Sequence, residues 1–194
     1  MRPSHAGGSD MVLNGIPAQL ALNMLMEGNR RFVLSGGISG DYSKDRMAVT
    51  ADKGQHPYAA IISCSDSRVV PEAIFSAGIG DLFVIRTAGN TICPGTVGSI
   101  EYAVDHLGCN LVVVLGHTSC GAVASALEDM HGDKVNVILD KVRQAAAGET
   151  DRLRVAELNA IQSAEEIRSG MDLHENVEIR AAMYDICDGS VRLL

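Results

Sequence analysis

The sequence predicts an α/β fold, with a mostly parallel β-sheet core flanked by helices, an N-terminal helical arm and a C-terminal hairpin. Three observations carry that prediction. The chain has 194 residues, 46% of them hydrophobic and 21% charged, which suits one domain with a sizeable core. Three apolar runs, YAAIISC (58–64), the start of DLFVIRTAGN (81–90) and NLVVVLGH (110–117), have the length of strands and are followed by small, turn-forming residues. Helical patterns stand before, between and after these runs, as strands covered on both sides by helices require.

Residues 1–16 open with MRPSHAGGSD, a polar, glycine-rich stretch expected to be flexible and to carry no fold role. Residues 17–194 are expected to form the domain. From Pro17 to Ser35, the residues Leu20, Leu22, Met24, Leu25, Phe32 and Val33 recur near helical spacing, and Gly36-Gly37 stops the pattern. After YAAIISC, the segment SDSRVVPE reads as a turn. GTVGSIEYAVDHLG (95–108) reads as a helix, and the Val- and Leu-rich run after it as a buried third strand. CGAVASALEDMHG (120–132) is helical in pattern, and residues 140–170 carry helix formers and charge. VEIRAAMYDICDGSVRLL (177–194) reads as two alternating segments around Asp188-Gly189, a hairpin. No repeat or low-complexity tract interrupts this order. In such a sheet, chemistry is expected at the carboxyl ends of the strands.

Composition narrows the function. A formal net charge of -8, with no cluster of Lys and Arg, argues against a nucleic-acid partner. The longest apolar stretches fall far short of the roughly 20 residues a spanning helix needs, so no membrane partner is expected. Nothing near Met1 has the pattern of a secretory signal, and a cytoplasmic location is the expectation. Five cysteines, an odd number in a chain of this size, point to reduced thiols rather than a disulfide framework.

Cys64, His117 and Cys120 each fall at or just past a strand end, where a parallel sheet can bring them together. Two thiolates and an imidazole form a borderline-soft set suited to Zn²⁺, and three protein ligands leave one tetrahedral position open, as catalytic zinc requires. Taken singly each signal is weak, because a cysteine ending an apolar run is most often a small buried hydrophobe. The pattern C-x-D-x-R adds Asp66 and Arg68 directly behind the first candidate ligand. Elsewhere they would be a surface ion pair of little value. Beside a metal they acquire a task.

The blocks CSDSRVVPE (64–72), GDLFVIRTAGN (80–90), GSIEYAVDHLG (98–108) and GHTSCGAV (116–123) resemble the successive signature blocks of the β-class carbonic anhydrases. The resemblance extends to EGNRRFVLSG (27–36) and MYDICDGSVRLL (183–194). It spans roughly residues 17–194 and is weakest over 133–176. It implies an α/β fold, an intimate homodimer or dimer of dimers, and one Zn²⁺ per chain held by Cys64, His117 and Cys120. It implies reversible hydration of CO₂ to bicarbonate and a proton, by zinc-bound hydroxide oriented by a catalytic dyad of Asp66 and Arg68. It places Gln55 as a substrate contact, Gly121 where backbone closely approaches the site, and Phe83, Ala88 and Tyr102 as pocket residues donated by the partner subunit.

Two departures stand out. Thr87 occupies the place of an asparagine in the family's RNAGN block. A regulatory bicarbonate site known in some members uses a tryptophan where this chain has Ile61, and the chain contains no Trp. The arginine of that site is matched by Arg86, for which a structural or interface role is expected. Cys93, Cys109 and Cys187 are expected to be ordinary packing residues, and the other histidines have no assigned role. Competing readings are hydrolysis of COS or CS₂ on the same zinc site, a catalytically silent zinc-binding homologue, and a thiol redox module. The silent reading leaves Asp66 and Arg68 without a purpose, and the redox reading lacks a C-x-x-C pair at Cys64.

Overall fold

In the computed structural model, which describes residues 15–194, the apolar runs form the centre of a five-stranded sheet. In chain order the elements are α1 (Ala18–Ser35), α2 (Lys44–Lys53), β1 (Ala59–Cys64), α3 (Pro71–Ile74), β2 (Leu82–Thr87), a 3₁₀ turn (Ala88–Asn90) and α4 (Pro94–Glu101), which continues into a π-helical turn (Tyr102–His106). They are followed by β3 (Leu111–His117), α5 (Gly121–Leu127), α6 (Asn136–Ala146), α7 (Arg152–Gly170), β4 (Glu178–Tyr184) and β5 (Val191–Leu193). The strand order is β2-β1-β3-β4-β5. The pairs β1–β2, β1–β3 and β3–β4 are parallel, and β4–β5 is the antiparallel C-terminal hairpin.

Every residue of β1 and β3 is buried, which explains why both read as unbroken apolar runs. Successive side chains point to opposite faces. Ile61, Val113 and Leu115 pack with Leu22 and Leu25 of α1, whereas Ile62, Val112 and Val114 pack with Ile100, Ala160 and Ile167 from α4 and α7. A third apolar cluster joins Val123, Leu139, Val142, Val155 and Met183 beside Cys64 and Cys120, giving the carboxyl end of the sheet a rigid floor. Gly116 lets α7 sit close behind the end of β3: a Cβ there would lie 2.8 Å from Met183 Sδ and 3.1 Å from Ala160 Cβ.

The N-terminal helix is present as expected, and α1 buries Ala21, Leu22 and Leu25 against the sheet of its own chain. The structure differs from the sequence reading in several places. Helix α2 has no buried residue and so left no apolar period to read. Ser43 caps it by accepting from the Arg46 N–H, and Arg46 ties it down through Ile79 O and Asp81 Oδ1, each at 2.7 Å. The helix expected over 120–132 stops at Leu127, and the segment 140–170 is two helices, separated at Ala147 (φ 49°) and Gly148 (φ 95°). Of the segment expected to be flexible, residues 1–14 lie outside the described residues. Gly15 and Ile16 are packed, with Asn110 Nδ2 donating to Ile16 O at 3.0 Å.

Candidate metal centre

Cys64 is the last residue of β1 and His117 the last of the neighbouring β3, while Cys120 immediately precedes α5. Their ligand atoms all lie within 4.8 Å of one another, and all three residues are buried. His117 Nδ1 faces the Thr118 carbonyl at 2.9 Å. A carbonyl can only accept, so Nδ1 carries the proton and Nε2 keeps its lone pair. That Nε2 is buried without a hydrogen-bond partner, which is costly for an ordinary core histidine and expected of a metal ligand. The donor set fits zinc.

The electrostatics agree. The Cys64 thiol is pulled far below its ordinary value, chiefly by its contact with Cys120 and then by the backbone N–H groups of Asp66 and Gly89, against the opposing effect of burial. Cys120 is pushed up by the same contact with Cys64 and by burial. Metal ligation requires both sulfurs as thiolates, so a divalent cation displaces their protons on binding.

Asp66 stands beside this cluster without being one of its three members. Arg68 grips it: the backbone N and Nε donate to Oδ1 at 3.0 and 2.9 Å, and Nη2 donates to Oδ2 at 2.7 Å. This two-pronged bond holds the Asp66 carboxyl well below the usual carboxylate range. Arg68 Nη2 also donates to Ser119 O at 3.1 Å, linking the loop after β1 to the loop after β3.

Arg86, on the edge strand β2, has the structural role expected of it. Its Nε donates to Cys64 O at 3.2 Å and its Nη2 to Asp66 O at 2.7 Å, bracing the backbone that carries both residues. Thr87 replaces a side-chain amide by a hydroxyl that donates to Thr91 O at 2.7 Å, and Thr91 Oγ1 donates to Ala88 O at 3.2 Å, closing the turn that follows β2. Inside that turn Gly89 N–H donates to Cys64 Sγ at 3.2 Å. Asn159 of α7 holds the turn from behind, with Nδ2 donating to Gly89 O at 2.7 Å.

The remaining candidate residues are more scattered. Ala88 adjoins Gly89, and Gly121 follows Cys120 at the start of α5. Gln55 is exposed in the loop after α2. The rings of Phe83 and Tyr102 lie 6.1 Å apart, and Tyr102 neighbours His106 at 5.3 Å. The strand register sets Phe83 opposite Ala60 and Thr87 opposite Cys64, so Phe83 lies roughly 13 Å along the strand from the level of the cluster. Within one chain that aromatic pair does not face the metal ligands. Of the other cysteines, Cys109 is a packing residue as expected, Cys93 is half-buried against Thr96 Oγ1 at 3.2 Å, and Cys187 is exposed rather than packed.

The sequence reading missed Asn159 and the Gly89 N–H. A signal existed for the first: Asn159 interrupts the stripe Val155, Ala156, Ala160, Ile167 on the buried face of α7, and a buried amide demands a partner. None existed for the second, because a backbone N–H leaves no mark on composition.

A parallel sheet bearing a Cys-His-Cys metal cluster at its carboxyl edge, with an Asp–Arg pair alongside, defines a class of zinc protein. The comparisons specify the family. The family model described as carbonic anhydrase matches residues 59–191. "Carbonic anhydrase 2" of Mycobacterium tuberculosis is 52% identical over 107 residues, 55% of this chain, and the match spans about half (51%) of that relative's length. The carbonic anhydrase of Mycolicibacterium smegmatis is 34% identical over 189 residues, covering 89% of this chain and 91% of that one. Among solved structures, a tetrameric β-carbonic anhydrase of Sordaria macrospora superposes with a TM-score of 0.69 at 26% identity, covering 91% of this chain and 94% of that chain. The β-carbonic anhydrase CafA of Aspergillus fumigatus gives 0.67 at 27% identity, over 91% and 89% of the two chains. This chain belongs to the β-class carbonic anhydrase family.

Proposed function

We propose that the protein catalyses the reversible hydration of CO₂ to bicarbonate and a proton, using one zinc per chain held by Cys64, His117 and Cys120. The observation that carries this reading is the state of Asp66: a carboxylate placed beside a three-ligand cluster yet turned onto Arg68. Zinc, when bound, supplies a Lewis acid that lets water ionise near neutral pH.

The chain's own residues do the rest. Three ligands leave one coordination position for solvent or substrate. A carboxylate offers about four lone-pair sites. Arg68 occupies two on Oδ1 and one on Oδ2, so Oδ2 retains a site that can accept a hydrogen bond from a reacting hydroxyl and orient it, with no transfer of the proton. Arg68, anchored on Ser119 O, holds that carboxylate back from the open coordination position, and Arg86 holds the backbone beneath it. Gln55, Gly121, Phe83, Ala88 and Tyr102 complete the substrate pocket in this reading, with the aromatic pair serving a neighbouring subunit. In support, Phe83 and Tyr102 sit by the edge strand β2, away from their own cluster, and the Sordaria relative is tetrameric. We therefore expect a homodimer or a dimer of dimers. None of the helices among the described residues is long and apolar enough to cross a membrane, and all five cysteines are free, in keeping with a reducing, cytoplasmic setting.

The test is stopped-flow CO₂ hydration on zinc-replete protein, with Asp66→Asn alongside. The variant should keep its zinc and lose about 100-fold in rate. Equal rates in the two would overturn the role of Asp66. A zinc-loaded protein inert toward CO₂ but active on COS would overturn the substrate.

A further inference from the structure

One buried polar side chain has no place in the mechanism above. Asn159 lies in the middle of α7 with 2% of its surface exposed, among apolar neighbours. Its single side-chain hydrogen bond among the described residues goes to the Gly89 carbonyl at 2.7 Å, and the N–H of that same glycine donates to Cys64 Sγ at 3.2 Å. Gly89 sits at φ 65°, ψ 22°, a left-handed conformation glycine adopts without strain and leaves as readily. Its N–H direction is therefore fixed by what holds the turn. Thr87 and Thr91 close the turn on itself, whereas Asn159 ties it to the body of the protein.

We propose that Asn159 is a positioning residue for the metal centre: by holding the Gly89 carbonyl, it aims the Gly89 N–H at the Cys64 sulfur and sets how strongly that sulfur donates to the metal. The inference rests on the reading of Cys64 as a metal ligand. A hydrogen bond to a thiolate takes up part of its negative charge. Groups one step behind the ligands typically change metal affinity or activity by about 10- to 100-fold when removed. Loss of the anchor therefore makes the sulfur a stronger electron donor and a less well-placed ligand at once.

The experiment uses Co²⁺ as the probe, because a thiolate-to-cobalt charge-transfer band reports the sulfur directly. Asn159→Leu keeps the volume and removes the donor. It should bind Co²⁺ as fully as the parent protein, with the band displaced to longer wavelength and the metal released to a chelator about tenfold faster. Ile167→Val, on the same helix but in the α4-side cluster, should lower thermal stability without moving either readout. An unmoved band and release rate in a folded Asn159→Leu protein would overturn the proposal. Should that variant fail to fold, Asn159→Ser is measured instead and must show the same displacement. A parent protein that takes up no Co²⁺ would sink the metal reading itself, an outcome distinct from a bound but unshifted band.

Discussion

Cys64 and Cys109 are buried to nearly the same degree, 4% and 1% exposed, at opposite ends of the sheet, and they have opposite chemistry. At the amino end, the Cys109 thiol meets only the Pro57 carbonyl at 3.4 Å, and burial pushes it up to about 12. At the carboxyl end, Cys120 and two backbone N–H groups pull Cys64 far down. Burial alone therefore makes a cysteine inert. It becomes a ligand where donors and partner ligands converge on its sulfur, and a parallel sheet supplies these at its carboxyl edge, where the loops of adjacent strands meet.

The sharpest way to break this comparison is to delete each sulfur. Cys64→Ser should abolish zinc binding, while Cys109→Ser should leave zinc content unchanged and cost about 1 kcal/mol of stability. Metal analysis and urea unfolding read both, and zinc retained in Cys64→Ser would overturn the ligand set.

Next in size is Gly89→Ala. At φ 65° the added Cβ would meet Ala122 Cβ at 3.0 Å, so backbone strain and crowding combine. The expected loss is about 1–3 kcal/mol in thermal unfolding, with weakened zinc retention against a chelator. Unchanged retention would show that the turn contributes nothing to Cys64.

A third prediction concerns the amino end. Cys109 is raised from 9.0 and Tyr58 from 10.0, each to about 12, both chiefly by burial. The unfolded chain ionises first, so the stability these groups contribute is complete below 9.0 and is lost as pH rises toward about 12. Each group adds at most about 1.4 kcal/mol per pH unit to that slope. In urea unfolding, Cys109→Ala should flatten the decline above pH 9.0. An unaltered slope would mean that the thiol ionises as freely in the folded protein as in the unfolded chain.

The smallest effect should come from Thr87→Val, which loses the 2.7 Å bond to Thr91 O but keeps the side-chain volume. About 1 kcal/mol is expected, with zinc content unaltered. A collapse of zinc binding would show that the turn depends more on Thr87 than on Asn159.

Much of this was legible in the chain itself. The runs YAAIISC and NLVVVLGH declare buried parallel strands because both faces of each are covered, and H-T-S-C with C-x-D-x-R offers Cys64, His117 and Cys120, which the structure gathers into one cluster. Helix α2 was not legible, since no residue of it is buried and its anchor, Asp81, is distant in sequence. The break between α6 and α7 was marked by Gly148, whereas the left-handed backbone at the preceding Ala147 has no sequence signature.

What the sequence determined by itself is which residues can bind a metal and which segments must be buried, because both follow from side-chain chemistry and local periodicity. What only the tertiary structure decided is how each group is held. Asp66 rests on Arg68 and Arg68 rests in turn on Ser119 O, while Asn159, seventy positions from Gly89, holds the turn whose N–H Cys64 receives. Apart from the Asp66–Arg68 pair, those bonds run through backbone atoms brought together by the strand order, and backbone atoms are the same in every sequence.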